Sequence, residues 1–247
     1  MRLAVLTDIH ANLEALRACA DHARREGARR FAFLGDLVGY GADPVACLDL
    51  IQDLIRDGGV AVLGNHDAAA LTGWCDDMSF EARDAIYWTR DRLEARHFSF
   101  LQSLPLTARV DDVFLVHASA QEPRKWIYVS DSTQAARCMD ASQAHLTVVG
   151  HVHHQLLYHT QPVGRPRPFH PTAGVAIPLS RQRRWLALAG SVGQPRDGNR
   201  AAAYAMLDLE HHTITFHRVV YDYGEAARKI MAAGMPERFA KRLESAS

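Results

Sequence analysis

The sequence predicts a single α/β domain in which helices flank two packed sheets, forming a β-sandwich of mixed sheets. Two observations favour this fold class. Through the first two thirds of the chain, short apolar runs alternate with helical patterns, which is typical of strands joined by crossover helices. In the last third, strand patterns follow one another across turns without a helix between them. No linker, repeat or low-complexity stretch divides the chain, so we expect one domain over residues 1–247.

The strands of the first part are apolar runs that each end directly at a polar residue. The clearest run covers residues 31–34, which carry no polar side chain on either face before Gly35 begins a turn. Asp36 therefore follows the carboxyl end of a strand that is buried on both faces. The same arrangement recurs in four other runs, at residues 2–7, 60–64, 113–116 and 146–150.

Helical patterns lie between these strands. Asn12 can cap a first helix that ends near Gly27, and Asp43 with Pro44 begins a second helix that stops before Gly59. Further helical patterns cover residues 79–104 and 130–139. In the last third, strands are expected at 156–158, 173–177, 185–189, 201–209 and 213–220, followed by two closing helices. We therefore expect the site motifs within residues 8–153, and the second-sheet strands and the closing helices within residues 156–247.

Composition and charge narrow the class of function. Lysine and arginine total 28 residues, as do aspartate and glutamate, so the chain offers no strong signal for binding nucleic acid. The first residues resemble a strand and no apolar run is long enough to cross a bilayer, so we expect a cytoplasmic protein with no membrane partner. The cysteines form no Cys-x-x-Cys pair and are expected to be reduced; they are Cys19, Cys47, Cys75 and Cys138.

The polar residues at the strand ends form a candidate metal site, because ligands of open α/β sheets bind outside the carboxyl ends of strands. Nitrogen and oxygen donors without a thiolate suit manganese, iron, zinc or cobalt better than magnesium or calcium alone. His154 adjoins the cluster but faces away from His153 in an extended segment, so it is left out. The cluster comprises Asp8, His10, Asp36, Asn65, His66, His117, His151 and His153.

The charges of this cluster favour an anionic substrate such as a phosphate ester. Asp36 has two oxygens and can bridge two ions. Two divalent ions, the carboxylates of Asp8 and Asp36 and a bridging hydroxide together leave a small positive charge. Two ions roughly 3.5–4 Å apart can generate the hydroxide and hold both the attacking and the leaving oxygen. His66 exceeds the number of ligands needed, and an imidazole beside the metals is suited to protonate the leaving oxygen.

The motifs resemble those of the calcineurin-like metallophosphoesterase superfamily. They are, in order, Asp8-Ile-His10, Gly35-Asp36, Gly64-Asn65-His66-Asp67, Val116-His117 and Gly150-His151-Val-His153. Residues 190–198 further resemble a loop of small bacterial members of this family. The resemblance implies a two-sheet sandwich flanked by helices and a dinuclear metal centre. By motif, His66 would be the acid and Asp36 would bridge the ions. The first ion would be bound by Asp8, His10 and His153, and the second by Asn65, His117 and His151.

The chain departs from the pattern of one branch of this superfamily. The protein serine/threonine phosphatases follow the bridging aspartate with an Asp-Arg pair, whereas this chain has Gly39 and Tyr40. The departure weakens the interpretation as a phosphoprotein phosphatase. Arg196 and Tyr40 are the candidates for contacting the substrate phosphate, and a role in bracing a surface turn is the alternative for Arg196. Weaker candidates are Arg124, Lys125 and Arg200.

The sequence therefore predicts a metal-dependent phosphoric ester hydrolase with two divalent ions, most simply manganese. Its substrate would be a phosphodiester, a nucleotide or a small phosphate ester, attacked by a metal-bridging hydroxide with His66 as general acid. Two alternatives stay open. One is a phosphomonoesterase similar to the protein serine/threonine phosphatases. The other is a non-catalytic, metal-binding interaction scaffold on the same fold.

Overall fold

Two mixed sheets pack face to face at the centre of the protein. The computed structural model describes residues 1–74 and 78–247, and within these ranges each sheet has six strands. The strands are β1 (Arg2–Leu6), β2 (Arg30–Phe33), β3 (Val60–Ala61), β4 (Thr107–Val110), β5 (Val113–Val116), β6 (Leu146–Val149), β7 (Gln155–His159), β8 (Arg167–Phe169), β9 (Ala176–Pro178), β10 (Trp185–Ala189), β11 (Ala202–Asp208) and β12 (Thr213–Val219). The flanking helices are α1 (Leu13–Arg25), α2 (Pro44–Ile55), α3 (Asn65–Thr72), α4 (Phe80–Arg90), α5 (Ala95–Ser103), α6 (Ser132–Ser142), α7 (Tyr223–Ala232) and α8 (Glu237–Ser245).

The strand order groups the parallel strands of each sheet together, on one side of the first sheet and in the middle of the second. The first sheet has the order β3-β2-β1-β11-β12-β9, and the second has the order β4-β5-β6-β10-β7-β8. β1, β2 and β3 run parallel, as do β5, β6 and β10, while the other neighbouring strands pair antiparallel. Parallel strands end at the same edge, so the residues that follow them are brought close together.

The central strands are buried on both faces. In β1, Leu3 and Val5 belong to an apolar cluster that contains side chains of both sheets, whereas Ala4 and Leu6 pack with the helices α1 and α2. Residues 31–34 alternate between the same two clusters. Burial on both faces requires an unbroken apolar run, which is the pattern from which this strand was predicted.

The strands of the last third do not form the second sheet by themselves, and this part of the prediction was wrong. β9, β11 and β12 join the first sheet, where β11 pairs with β1 in the register Leu3↔Leu207. β7, β8 and β10 complete the second sheet beside β6. An apolar strand pattern shows that both faces are buried, but it does not show which neighbour supplies the hydrogen bonds.

Several element boundaries also differ from the prediction. The helical pattern at 79–104 is two helices, α4 and α5, separated by a turn. The structure adds α3, which begins at Asn65 and was not predicted, and the short strands β4 and β8. The expected strand at 173–177 lies at Ala176–Pro178. Both β8 and β9 are mostly exposed edge strands, so they lack the apolar pattern by which buried strands are recognised.

Of the two expected helix caps, Asn12 caps its helix, whereas the Asp43 side chain makes no capping hydrogen bond to α2 and instead accepts from Lys229. Asn12 Oδ1 accepts a hydrogen bond from the amide of Ala15 at 3.1 Å and so caps α1. Cys19, Cys47 and Cys138 are free and buried, while Cys75 lies outside the described residues. Within the described ranges, every helix is too short or too polar to cross a membrane.

Candidate metal centre

The eight predicted side chains lie together at one end of the sandwich. They follow β1, β2 and β3 of the first sheet and β5 and β6 of the second, apart from His10 and His153, which follow Asp8 and His151 by two residues. The cluster was predicted at the carboxyl ends of strands, and the structure forms it from the edges of two sheets. Seven of the eight residues are buried, and Asn65 is half-buried.

The backbone is strained where it presents these side chains. Five of the eight residues adopt a left-handed conformation, with φ of 52° at Asp8, 48° at His10, 50° at Asp36, and 66° at both His151 and His153. Such a conformation costs a non-glycine residue about 1–3 kcal/mol, so it persists only where surrounding contacts enforce it. Backbone hydrogen bonds between the loops hold this conformation; for example, the His10 amide donates to the Asp36 carbonyl oxygen at 2.9 Å. Strain concentrated at one set of polar residues indicates a functional site.

Two glycines allow the loops to approach each other. A Cβ atom on Gly64 would collide with the backbone nitrogen and Oδ1 of Asp36. A Cβ atom on Gly150 would lie 2.5 Å from Asp8 Oδ2 and would also collide with Thr7 Oγ1. The glycine before Asn65 and the glycine before His151 are therefore steric requirements of the cluster.

The first donor group contains Asp8, His10 and His153, whose ligand atoms lie within 4.8 Å of one another. His153 Nε2 lies 3.1 Å from Asp8 Oδ1 and 3.2 Å from His10 Nε2. Thr7 Oγ1 donates to Asp8 Oδ2 at 2.7 Å. Among the described residues, none makes a hydrogen bond to the buried Oδ1 atom, so this oxygen is free to bind a cation.

The second donor group contains Asp36, His117 and His151, again with ligand atoms within 4.8 Å. His117 Nε2 lies 3.5 Å from Asp36 Oδ2, 3.1 Å from His151 Nδ1 and 3.0 Å from Asn65 Oδ1. Asn65 begins α3, and its amide oxygen faces the same imidazole as the other donors. The residues predicted for the second ion are thus brought together.

Asp36 connects the two groups. Its Oδ2 atom lies 3.7 Å from Nε2 of His10 in the first group and 3.5 Å from Nε2 of His117 in the second. Its Oδ1 atom accepts a hydrogen bond from the backbone amide of His66 at 2.9 Å. One carboxylate oxygen therefore faces nitrogen donors on both sides, while the other fixes the side chain.

His66 lies at the border of both groups. Its ring centroid is 4.9 Å from that of His10 and 4.5 Å from that of Tyr40. Its Nδ1 atom is buried without a hydrogen-bond partner among the described residues. Gly39 packs against this atom. A Cβ atom at position 39 would lie 2.5 Å from Nδ1, and glycine has no side chain that could act as its partner. The ring also forms a third group of possible ligands with His10 and Asp36, so geometry alone allows it to bind metal.

The donor chemistry of the cluster fits a divalent cation. The Nδ1 atoms of His10, His117 and His153 lie 3.3, 2.7 and 2.6 Å from backbone carbonyl oxygens. A carbonyl oxygen can only accept, so each Nδ1 carries a proton, and when Nε2 gives up its own proton, as metal binding requires, its lone pair is directed inward. These lone pairs face carboxylate oxygens, an amide oxygen and one another. A buried group of acceptors needs a cation or protons between them, and these donors suit a transition metal.

The pKa values of these groups reflect their burial and their mutual charges. Burial raises the pKa of Asp8, but the imidazoles of His153 and His117 outweigh this and hold it below its ordinary value. Burial lowers the pKa of His117, but the Asp36 carboxylate outweighs this and raises it to about 9. Burial lowers the pKa of His151 to about 3. The carboxylates of Asp8 and Asp36 thus stabilise positive charge between the donor groups, and a bound metal cation would supply that charge.

Two further residues position the cluster, and the sequence analysis gave them no role. Gln194 accepts the Nδ1 proton of His153 on its backbone oxygen at 2.6 Å. Asp67 is fully buried; its Oδ1 accepts from the amides of Leu37 and Val38 at 2.8 and 3.2 Å, and its Oδ2 accepts from the amide of Gly64 at 3.0 Å. Asp67 therefore ties the loop after Asp36 to the turn before Asn65. Its place inside a quoted motif was the only signal of this role.

We expect Asp67→Ala to destabilise the protein and to weaken metal binding. Three buried amides would lose their acceptor, and each unsatisfied group costs about 1–3 kcal/mol, so the free energy of unfolding should fall by about 3 kcal/mol or more. Asp131→Ala is the matched control, because Asp131 also accepts from two backbone amides but lies exposed at the start of α6. That change should lower the free energy of unfolding by about 1 kcal/mol. Equal losses in urea unfolding would contradict the positioning role.

The two residues predicted to contact substrate lie at the edge of the cluster. The ring of Tyr40 is 4.7 Å from that of His10 and 4.9 Å from that of Phe239 on α8. The guanidinium carbon of Arg196 lies 6.0 Å from the Tyr40 ring centroid. Arg196 Nη2 donates to Gln194 Oε1 at 2.9 Å, while its buried Nε has no partner among the described residues. The weaker candidates Lys125 and Arg200 instead bind Glu122 and the hydroxyl of Tyr223.

Comparison with known proteins identifies relatives along the whole chain. The calcineurin-like phosphoesterase superfamily domain matches residues 1–212. The uncharacterized protein MJ0912 of Methanocaldococcus jannaschii is 34% identical over 251 residues, which cover 98% of this chain and 96% of that protein. A metallophosphoesterase from Sphaerobacter thermophilus has a similar solved structure, with a TM-score of 0.88 and 35% identity over 100% of this chain and 99% of that chain. The symmetrical bis(5'-nucleosyl)-tetraphosphatase of Glaesserella parasuis is 31% identical over 120 residues, which are 46% of this chain and 43% of that protein.

Proposed function

Since the chain belongs to the calcineurin-like phosphoesterase superfamily, we propose that it is a dinuclear-metal phosphoesterase that hydrolyses a phosphodiester, a nucleotide or a small phosphate ester. The buried donor cluster is the observation that carries this proposal, because Asp36 joins two groups of nitrogen and oxygen donors there. Proteins of this superfamily generally hydrolyse phosphoesters. Two metal ions at such a site are suited to in-line displacement at phosphorus.

The residues assigned to the two ions follow the two donor groups. Asp36 is shared between them. The first ion is assigned to Asp8, His10 and His153, and the second to Asn65, His117 and His151. Manganese suits this donor set, and iron, zinc and cobalt also fit it. When bound, the two ions would supply Lewis-acid activation of water and of the phosphoryl oxygens.

His66 is assigned the role of general acid. Its ring borders the donor groups, and its Nδ1 is not held by any described residue. Burial lowers the pKa of His66 to about 4, and the Asp36 carboxylate opposes this shift. An anionic substrate beside the ring would act in the same direction as Asp36 and raise the pKa of His66, because it stabilises the imidazolium form. The protonated ring would then donate to the leaving oxygen as the bond to phosphorus breaks.

The residues that follow Asp36 indicate the class of substrate. Gly39 leaves His66 without a carboxylate partner, and Tyr40 is uncharged, so Arg196 is the nearby cation assigned to the outer phosphoryl oxygens. A single arginine favours esters with little charge on each phosphorus, which are diesters and nucleotides. The relative named as a bis(5'-nucleosyl)-tetraphosphatase supports nucleotides within this class.

The free thiols support a cytoplasmic location for this enzyme. Cys19, Cys47 and Cys138 are buried and unpaired, and burial raises the pKa of the thiols of Cys19 and Cys138. Thiols persist in reducing compartments, whereas the thiols of extracellular proteins tend to be oxidised to disulfides. The thiols that the structure describes are therefore suited to the cytoplasm, which also contains nucleotides and other phosphate esters.

The function is tested by metal content and hydrolysis together. We expect purified protein loaded with manganese to hydrolyse bis(4-nitrophenyl) phosphate, to lose this activity on removal of metal by a chelator, and to regain it when manganese is restored. Elemental analysis should give two equivalents of metal. A fully loaded protein that leaves monoesters, diesters and nucleotides intact would contradict the enzyme and favour the scaffold alternative.

We expect Arg196→Ala to lower kcat/KM for a diester about tenfold to a hundredfold, because a hydrogen bond to a charged group contributes ~1.5–3 kcal/mol. Arg228→Ala removes the same charge from an exposed position on α7, where the arginine pairs with Glu225 at 2.7 Å, and should leave kcat/KM unchanged. A matched monoester, diester and phosphopeptide should be compared in both variants. Unchanged kinetics of the Arg196→Ala protein on every substrate would contradict the contact with phosphate and favour the alternative role of Arg196, which is to stabilise its turn.

A further inference from the structure

A cleft with a volume of about 540 Å³ opens beside the second donor group. This volume lies within the range of about 300–1,000 Å³ that small-molecule sites occupy. Its lining includes Asn65, Thr72, Trp74, Trp126, Tyr128 and His151. None of the three aromatic residues belongs to a motif that the sequence predicts to be functional.

One wall of the cleft is built on the metal donors themselves. The ring of Tyr128 stacks on that of His151, with centroids 3.9 Å apart and planes at 27°. The ring of Trp126 meets His117 edge to face at 5.9 Å. Trp126 itself has a left-handed backbone conformation, with φ of 50°. This conformation is uncommon for a bulky residue and persists only where surrounding contacts enforce it.

The lining of the cleft includes a tryptophan that is exposed to solvent. Trp74 follows the end of α3 and is 70% exposed, although tryptophan is a residue that folding normally buries. Tyr128, which also lines the cleft, is 51% exposed. Both side chains therefore offer aromatic surface that a ligand in the cleft can reach. A flat aromatic group can stack on such faces whatever its hydrogen-bonding pattern.

The charge of the cleft selects the kind of group that would fill it. Lys125 is the charged residue of the described lining, and its ammonium pairs with Glu122 at 2.6 Å. The described part of the lining is thus close to neutral, and its one cation is already paired. Arg196, which could hold an additional phosphate, lies instead beside Tyr40. An uncharged aromatic group fits this lining better than a polyphosphate chain or a charged peptide.

The cleft is continuous with the site of reaction. Asn65 and His151 line it and also belong to the donors assigned to the second ion. A substituent on a phosphorus atom at that ion would therefore enter the cleft directly. We propose that the cleft is a nucleobase subsite, in which Trp74, Trp126 and Tyr128 stack the base of a nucleotide substrate. This inference rests on the proposed phosphoesterase function and specifies its substrate as a nucleotide.

The test compares two ligands that differ only in the base. Adenosine 5'-monophosphate and ribose 5-phosphate are titrated calorimetrically into the manganese-loaded protein, with released phosphate measured in the same samples. We expect the nucleotide to bind about ten- to hundredfold more tightly, which is the effect of stacking one base on aromatic side chains. If either ligand is hydrolysed, the ratio of the two kcat/KM values gives the same comparison. Aryl esters are avoided because their leaving group could itself occupy the cleft.

Variants of exposed residues locate the effect. Trp74→Ala should reduce the preference for the nucleotide about fivefold or more and leave ribose 5-phosphate binding unchanged. Phe80→Ala is the matched control, because Phe80 is 67% exposed and lies outside the cleft lining. It should change neither ligand. A second variant, Tyr128→Ala, should repeat the loss seen with Trp74→Ala.

The possible outcomes separate this inference from the proposed function. Equal affinity for the two ligands would overturn the nucleobase subsite, even in a protein that hydrolyses simple diesters. A nucleotide preference that Trp74→Ala and Tyr128→Ala leave intact would also overturn it. A protein that prefers the nucleotide in the expected way but hydrolyses nothing would retain the subsite and lose the enzyme assignment.

Discussion

The Asp36→Asn protein should lose hydrolysis and metal together. We expect elemental analysis to give less than one equivalent of metal where the parent protein holds two. Turnover should fall by more than the 10–100-fold loss that typically follows removal of an outer partner of a metal ligand. No other substitution of a single side chain in the cluster should affect both ions to this extent.

The geometry of Asp36 explains this expectation. Oδ2 lies 3.7 Å from Nε2 of His10 and 3.5 Å from Nε2 of His117, so the same oxygen serves both donor groups. Asparagine can keep an oxygen for the hydrogen bond from the His66 amide, but it then places an NH₂ group between the imidazoles. That group donates to their lone pairs and cannot bind a cation. The folded state should persist, because the substitution removes a buried charge and satisfies acceptors.

Asp8→Asn is the comparison that separates bridging from simple ligation. Asp8 belongs to one donor group only, and its Oδ1 faces His153 at 3.1 Å. This variant should lose mainly the first ion and keep close to one equivalent of metal. Thermal unfolding of both metal-free variants should match that of the metal-free parent protein. Two full equivalents of metal in Asp36→Asn would refute the bridging role.

The sequence located this cluster because each of its parts is local. A strand that is buried on both faces must be an unbroken apolar run, and the residue that ends the run must lie at the sheet edge. Asp36 after residues 31–34 and His117 after 113–116 could therefore be placed without knowing how the strands pair. The structure brings these residues together as expected, although they come from two sheets.

The parts that the sequence did not predict depend on contacts between distant segments. β11 lies beside β1 although the two strands are about 200 residues apart in the sequence. Both strands are apolar on both faces, and the pattern of one strand does not identify the other as its neighbour. Asp67 holds the amides of Leu37 and Val38 only after two loops have met. The aromatic cleft joins Trp74 after α3 to Tyr128 after β5, and single aromatic residues in loops carry no periodic pattern.

His66→Ala should keep both metals and lose turnover on esters with a poor leaving group. General acid catalysis contributes about 10²–10⁴-fold, so an alkyl ester should lose this much in kcat. An ester of 4-nitrophenol should lose far less, because nitrophenolate leaves without a proton. The ring fits this role because it borders His10 and Asp36, while its Nδ1 has no hydrogen-bond partner among the described residues.

The pH dependence adds a second test of the same assignment. Burial lowers the pKa of His66 to about 4, and the Asp36 carboxylate acts in the opposite direction, as would a bound phosphate anion. The donating form is the protonated one, so kcat for the alkyl ester should fall as the pH rises through the pKa of the complex. The 4-nitrophenyl ester should not show this fall, and the His66→Ala protein should not show it for either ester.

His154→Ala is the control for the loss of an imidazole near the site. His154 is half-buried and lies outside the donor groups found among the described residues, so both metals and both activities should be kept. Loss of one metal equivalent in His66→Ala would show that His66 binds an ion, as its place in a third group with His10 and Asp36 allows. Equal losses on the alkyl and the 4-nitrophenyl ester would exclude proton donation to the leaving oxygen, and the ring would then act by orienting the substrate beside Asp36.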